Sequence, residues 1–245
     1  MKLIIAGASG LVATEIIRQS LRSRDITSVL ALARKPVVAP AGTTAADATK
    51  LKSVIIDDYE TYPDHVKREF SGADACIWTV AITPTKSKTF AFEDVKRICQ
   101  TSTLAGFRAM AEAGPARPFR FLYMSGSAAE RDQTKRPIFL ADYLLMRGET
   151  ENQVLEFAAS QQPPSSVQAS VAKPGLITGH ETVFRSVWGT ALRYIGVVPH
   201  VSIEELVAAM LHQVKTGFEK DALFGGDLQR IGGQALRDSE TAKES

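Results

Sequence analysis

Six short apolar runs punctuate the chain, each closed by polar or turn residues: 2–6, 28–33, 54–56, 73–80, 119–124 and 167–172. Their residues are continuously apolar rather than alternating, the pattern of strands buried on both faces. Between them lie stretches with helical spacing. Val12 pairs with Ile16 and Ile17 with Leu21 over Leu11–Ser23, while Phe92, Val95, Cys99, Gly106 and Met110 share one stripe. Another helix is predicted over Ala141–Ser160. Strand and helix in strict alternation imply right-handed crossovers and an α/β fold with a doubly wound parallel sheet. Near the carboxyl end, Ser202-Ile203-Glu204-Glu205 reads as a capping box, with Val201 and Leu206 placed to staple a helix that runs to about Val214.

No repeat or low-complexity linker divides the chain, so residues 1–235 read as one domain and 236–245 as a frayed polar tail. Residues after about Leu176 leave the alternation and are expected to form a small cap, helped by loops at Thr83–Lys88 and Ala129–Phe139. Composition narrows the partners. With 29 Lys and Arg against 27 Asp and Glu, the net charge of +2 supplies no basic field for nucleic acid or anionic lipid. No run approaches the ~18 apolar residues of a membrane span. Two cysteines, Cys76 and Cys99, build no disulfide framework and point to a reducing, cytoplasmic setting. Four scattered histidines (His65, His180, His200 and His212) give no metal-ligand spacing, so no metal is expected. The amino-terminal Met1–Ala8 reads as a strand entering a turn rather than a secretory leader, because Gly7 and Gly10 cut its apolar run short.

That turn carries the first chemical signal. Gly7-Ala8-Ser9-Gly10-Leu11-Val12-Ala13 is a G-x-x-G-x-x-A sequence directly between a strand and a helix. Small residues let the backbone approach a pyrophosphate, which then sits on free N–H groups at the positive end of the helix dipole. Gly7, Ser9, Gly10, Leu11 and Val12 are the expected contacts, and Ala13 keeps helix and strand close. A cofactor with a free ribose 2′-hydroxyl usually meets an acid after the second strand. Arg34 and Lys35 stand there instead and suit a 2′-phosphate, so NADP(H) is expected over NAD(H). Asp57 or Asp58 is placed to meet the adenine amino group, or to serve the turn in which both lie.

The second signal follows the fifth run. Ser125 and Ser127 lie at its end, and the next helix places Tyr143 and Arg147 on one face at i and i+4. A phenol beside a cation and a serine makes an acid–base set in which the cation is expected to lower the tyrosine pKa.

Together these motifs resemble the atypical branch of the short-chain dehydrogenase/reductase superfamily, and most of all its NmrA-like and Tat-interacting-protein-like members. The helix Tyr143-Leu-Leu-Met-Arg147-Gly148-Glu-Thr-Glu151 follows the family's Tyr-x-x-x-Lys-Gly-x-x-Glu pattern, and Lys173-Pro174-Gly175-Leu176-Ile177-Thr178-Gly179 follows its Arg-Pro-Gly segment. The resemblance spans roughly residues 1 to 215. It implies a Rossmann-like fold and places Pro174, Gly175, Leu176 and Ile177 beside a nicotinamide. Val80 and Ala81 complete the expected cofactor-binding set. Phe184, Trp188, Tyr194 and His200 would line a substrate pocket or simply pack. Arg147 departs from the family's catalytic lysine; arginine can hold ribose hydroxyls but practically never deprotonates.

The expected activity is an NADP(H)-dependent reductase of a small organic carbonyl or enone. Tyr143 would donate a proton, Ser127 or Ser125 would polarise the carbonyl, and Arg147 would hold ribose. Two alternatives stand beside it: a redox-neutral isomerase or cyclase on the same scaffold, and a non-catalytic NADP(H)-sensing regulator. A homodimer is compatible with each.

Overall fold

The computed structural model describes residues 1–179 and 200–244. In chain order the elements are β1 (Lys2–Ala6), α1 (Leu11–Arg22), β2 (Ser28–Ala33), α2 (Ala45–Ala48), β3 (Leu51–Ile55), α3 (Asp64–Phe70), β4 (Ala75–Trp78), α4 (Pro84–Ser87) and α5 (Phe92–Lys96). A π-helical turn (Arg97–Thr101) leads into α6 (Ser102–Glu112), β5 (Phe119–Met124) and α7 (Ala141–Ala159). Then come β6 (Val167–Lys173), β7 (Leu176–Thr178), β8 (His200–Ser202), α8 (Ile203–Thr216), β9 (Ala222–Phe224) and α9 (Gly225–Glu244).

Seven strands form one parallel sheet in the order β3-β2-β1-β4-β5-β6-β9. This is a Rossmann-like, doubly wound α/β fold. The strand order reverses between β1 and β4, and their register sets Ala6 beside Trp78. In such sheets ligands bind in the crevice beyond the carboxyl ends of the strands at the reversal.

Successive strand residues face opposite sides, so β1 feeds two cores. Leu3 and Ile5 pack with Ile16, Ile17 and Leu21 of α1 and Leu206, Met210 and Val214 of α8. Ile4 and Ala6 face Phe70, Trp78, Phe107, Phe121 and Val154 on the other side, where Phe107 stacks on Phe121 with ring centroids 3.9 Å apart. A smaller cluster of Ile82, Val95, Cys99, Tyr143 and Met146 joins α5, the π turn and α7 beyond the end of β4.

The capping box forms as expected: Ser202 Oγ accepts the Glu205 N–H at 3.1 Å while Glu205 Oε2 accepts the Ser202 N–H at 3.2 Å. Four expectations are corrected. The helical stripe from Phe92 to Met110 is not regular α-helix throughout, because the Ser102 N–H and hydroxyl both reach back to the Arg97 carbonyl and open a π turn within it. The third strand starts at Leu51 and leaves Ile55 51% exposed, since it lies at the sheet edge. The described residues after Leu176 do not all leave the strand–helix alternation: β7 and β8 pair apart from the sheet, but α8 fills the core under β1 and β9 adds a seventh strand. Three residues were too few to register as an apolar run. Finally, the polar tail is helical in α9 through Glu244, with Gln234 bonded to Asp238 at 2.7 Å, rather than frayed from residue 236.

Candidate functional site

The glycine turn closes on three strand ends. Gly7 and Ala8 donate to the Leu32 carbonyl at 3.1 and 3.2 Å, and Gly10 donates to Gly7 at 2.9 Å. Gly7 sits at φ +81°, and a Cβ there would come within 2.8 Å of Thr79 Oγ1 and 3.1 Å of the Val80 nitrogen. Only glycine combines that dihedral with that approach. Ser9, Gly10 and Leu11 are exposed, whereas Ala13 is buried in the core. Gly10 caps α1 without a side-chain bond, and the first turn holds no acid. The leading N–H groups of a helix have no partner within it, and here they open on solvent beside the strand-order reversal.

Arg34 and Lys35 follow β2 and are exposed. Tyr59, whose hydroxyl donates to the Leu32 carbonyl at 3.1 Å, ties this corner together. Burial raises its phenol above the ordinary value, while the Gly7 N–H and the Arg34 charge oppose that rise. Arg34 therefore lies within electrostatic reach of the glycine turn. The two acids after β3 separate. Asp58 Oδ1 accepts from the Glu60 and Thr61 N–H groups at 2.8 and 2.9 Å and from the Thr61 hydroxyl at 3.0 Å. Those bonds hold its carboxyl below the usual range and make it a turn residue, leaving Asp57 as the exposed acid. Val80 and Ala81 continue from β4, Val80 directly against the Gly7 backbone.

Tyr143 and Arg147 do share the inner face of α7, though not with the electrostatics expected. The Tyr143 hydroxyl donates to the Ile82 carbonyl at 2.9 Å. Its pKa is raised, not lowered: removal from water dominates, and the Arg147 charge only partly opposes it. Arg147 is itself 4% exposed and divided among neighbours. One guanidinium nitrogen donates to the Met124 carbonyl at 2.8 Å, the plane lies 5.0 Å over the Tyr123 ring, and Nη1 is buried without a partner.

The two serines part company. Ser127 is exposed, with its N–H on the Pro174 carbonyl at 2.9 Å. The Ser125 hydroxyl donates to Glu151 Oε1 at 2.6 Å. Glu151, fully buried, also accepts from Lys173 Nζ at 2.7 and 2.8 Å and from Arg131 Nε at 2.7 Å. Glu151 thus pairs with Lys173 of β6 and with Arg131 rather than with Arg147 one turn away. This ion cluster forms one wall of a cavity of about 460 Å³ that Ser127, Arg131, Lys173, Lys220 and Phe224 help to line. Its members are distant in sequence, and only the Glu of the helix motif and the Lys of Lys-Pro-Gly hinted at them. Gly148 lets the loop carrying Arg131 cross α7, since a Cβ there would fall 1.7 Å from the Glu130 oxygen.

Gly175, Leu176 and Ile177 are half-buried as the chain leaves β6 for β7, and His200 is exposed at the start of β8. Phe184, Trp188, Tyr194 and His180 lie outside the described residues. Among the described residues there is no grouping of metal-ligating side chains and no helix long and apolar enough to cross a membrane.

These features fit a dinucleotide. The turn leaves amides exposed for a diphosphate, and the unfilled Arg147 donor lies beyond the end of β5, where a ribose hydroxyl would supply an acceptor.

No family model and no curated protein matches the sequence. Solved structures do match. MoeE5 in complex with UDP-glucuronic acid and NAD is 15% identical, with a TM-score of 0.67 over 91% of this chain and 75% of that one. UDP-glucose 4-epimerase from the hyperthermophile Thermotoga maritima, with UDP-glucose, is 11% identical, with a TM-score of 0.65 over 96% of this chain and 82% of its own. DesIV, a dTDP-glucose 4,6-dehydratase from Streptomyces venezuelae with NAD bound, is 13% identical, with a TM-score of 0.66 over 97% and 80%. What this chain shares with them at such identities is the Rossmann-like fold.

Proposed function

We propose that the chain is an enzyme of the short-chain dehydrogenase/reductase kind that binds NADP(H) and reduces a carbonyl or conjugated double bond of a small organic molecule. The observation that carries the reading is the Gly7–Ala13 turn, whose exposed amides and uncapped helix start sit at the reversal of strand order with Arg34 alongside. The amides of Ser9, Leu11 and Val12 would hold the diphosphate, with Gly10 giving its own N–H to the Gly7 carbonyl to shape the turn. Arg34 and Lys35 would meet the 2′-phosphate, and Asp57 the adenine amino group. Arg147 Nη1 would take a ribose hydroxyl, with Val80, Ala81 and Pro174–Ile177 flanking the nicotinamide. When bound, the cofactor supplies the hydride.

Tyr143 suits the proton-donor role. A phenol raised by burial keeps its proton at neutral pH and releases it only to an oxygen on which negative charge develops. Ser127, which is exposed, is freer than Ser125 to polarise a substrate carbonyl, because the Ser125 hydroxyl is held by Glu151.

The test is calorimetric titration with NADPH and NADH, followed by a carbonyl panel read by loss of NADPH absorbance. Saturable NADPH binding with substrate-dependent oxidation supports the reading; no heat with either nucleotide removes it. A redox-neutral reaction is the second reading, favoured by Arg147, which cannot shuttle a proton, and by structural neighbours that are an epimerase and a dehydratase. Product formed without net NADPH consumption would select it.

A further inference from the structure

The proposed nucleotide site draws on three segments: the turn after β1 for the diphosphate, the end of β2 for the 2′-phosphate and the loop after β3 for the adenine. One buried carbonyl joins them. Leu32 O, near the end of β2, accepts the Gly7 and Ala8 N–H groups at 3.1 and 3.2 Å. It also accepts the Tyr59 hydroxyl, from the loop after β3, at 3.1 Å. Burial raises the Tyr59 phenol, while the Gly7 N–H and the Arg34 charge act against that rise, so both lie within reach of its oxygen. β1 and β3 are not neighbours in the sheet, because β2 lies between them. No strand pairing therefore sets the turn after one against the loop after the other, and the Tyr59 side chain spans that gap.

Packing does not require this hydroxyl. Tyr59 is buried, and its ring meets Trp78 edge-on with centroids 5.7 Å apart. Trp78 is itself seated against α6, where a Cβ on Gly106 would fall 2.3 Å from its ring. The loop is fixed by other bonds as well: Tyr62 donates to the Tyr59 carbonyl at 2.9 Å, and Asp58 accepts the Glu60 and Thr61 N–H groups. A phenylalanine at 59 would keep the ring contacts. It would also strand no acceptor, because a carbonyl oxygen has two lone pairs and Leu32 O already holds two amide donors. Filling the core and satisfying the backbone are complete without the oxygen; what it adds is the tie across β2.

We infer that Tyr59 is a positioning residue for the nucleotide: its hydroxyl holds the Gly7–Ala8 turn against the loop after β3, so that the three sets of contacts are fixed relative to one another before the ligand arrives. The inference rests on the reading of the turn as a dinucleotide site. Contacts fixed in advance need no ordering at the moment of binding. Loosening the tie therefore weakens affinity without removing any group that meets the ligand. Tyr59 acts through the backbone of Gly7, Ala8 and Leu32, which separates its role from that of Arg34, Lys35 and Asp57.

The test compares wild type, Y59F and Y62F. Y62F is the control, since it removes a buried phenol hydroxyl from the same loop, but one bonded to the Tyr59 carbonyl and not to Leu32. In the free protein, hydrogen exchange followed by NMR should show the Gly7 and Ala8 amides of Y59F exchanging about 2- to 10-fold faster, the worth of one ordinary hydrogen bond. Ile4 and Ile5 within β1, and all four amides in Y62F, should keep wild-type rates. Calorimetry should show Y59F binding NADPH about 2- to 10-fold more weakly and Y62F binding it as wild type does. Unchanged exchange at Gly7 and Ala8 in Y59F overturns the inference whatever the protein binds. Faster exchange with NADPH affinity unchanged overturns it too. So does equal weakening by Y62F, which would make the stability of the loop, and not the tie to Leu32, the cause. Absence of heat with either nucleotide in wild type removes the proposed function, and the exchange rates then decide whether Tyr59 holds the turn.

Discussion

Glu151→Gln is the most informative single perturbation of the frame that holds the site. The carboxylate is fully buried and accepts from Lys173, Arg131 and Ser125 at 2.6–2.8 Å. The amide keeps the shape but removes the charge. Lys173, 3% exposed, then keeps the Ala129 carbonyl at 2.9 Å, the Phe224 ring at 5.6 Å and at most the neutral amide oxygen, without the charge that balanced its own. Leaving one member of a buried pair without its counter-ion costs about 3–5 kcal/mol. That is a large part of a folding free energy of about 5–15 kcal/mol. Lys173→Met should cost less, because Arg131, whose side chain is 27% exposed, still neutralises Glu151. The double variant E151L/K173M should recover most of the loss, since an apolar pair of similar volume replaces a buried ion pair at little cost. Urea unfolding measures all three, and E151Q should move the midpoint down by about 1–2 M with the slope unchanged. An E151Q loss below about 1 kcal/mol, or a double variant as damaged as the sum of the singles, would show that the cluster is hydrated and the reasoning wrong.

Tyr143→Phe should cut turnover about a hundredfold or more while NADPH affinity holds; retained turnover removes the phenol from the mechanism. Replacing Arg34 and Lys35 by Ala should weaken NADPH about 10- to 100-fold, the worth of a charge-assisted contact of about 1.5–3 kcal/mol, and leave NADH unchanged in titration. Equal effects on both nucleotides would place these residues away from the 2′-position. Alkali should destabilise the fold. Burial holds Tyr59, Tyr62, Tyr123 and Tyr143 above the ordinary phenol value, so the unfolded chain loses these protons first. Their contribution is complete below about pH 10 and disappears as pH climbs through the folded values. Urea midpoints against pH should fall on that limb, more gently in Y143F, and a flat limb would contradict the burial.

The sequence by itself determined the layered fold and the glycine turn. Both follow from local rules: continuous apolar runs specify buried parallel strands, and Gly7 meets a backbone demand within a few residues of its neighbours. It also placed Tyr143 and Arg147 on one helical face, which is a matter of spacing alone. Tertiary structure decided everything that depends on what else reaches that face. Cys99 is drawn to it by a π turn, and Glu151 is taken by Lys173 and Arg131 instead of by Arg147. Asp58 closes its own loop, and the Tyr143 phenol rises because dehydration outweighs one shared cation. The seventh strand, too, is recognisable only once β6 offers an open edge to Ala222–Phe224. Spacing along a chain states which side chains share a face; the burial and charge around them are sums over residues far apart in sequence, and only the folded chain carries out that sum.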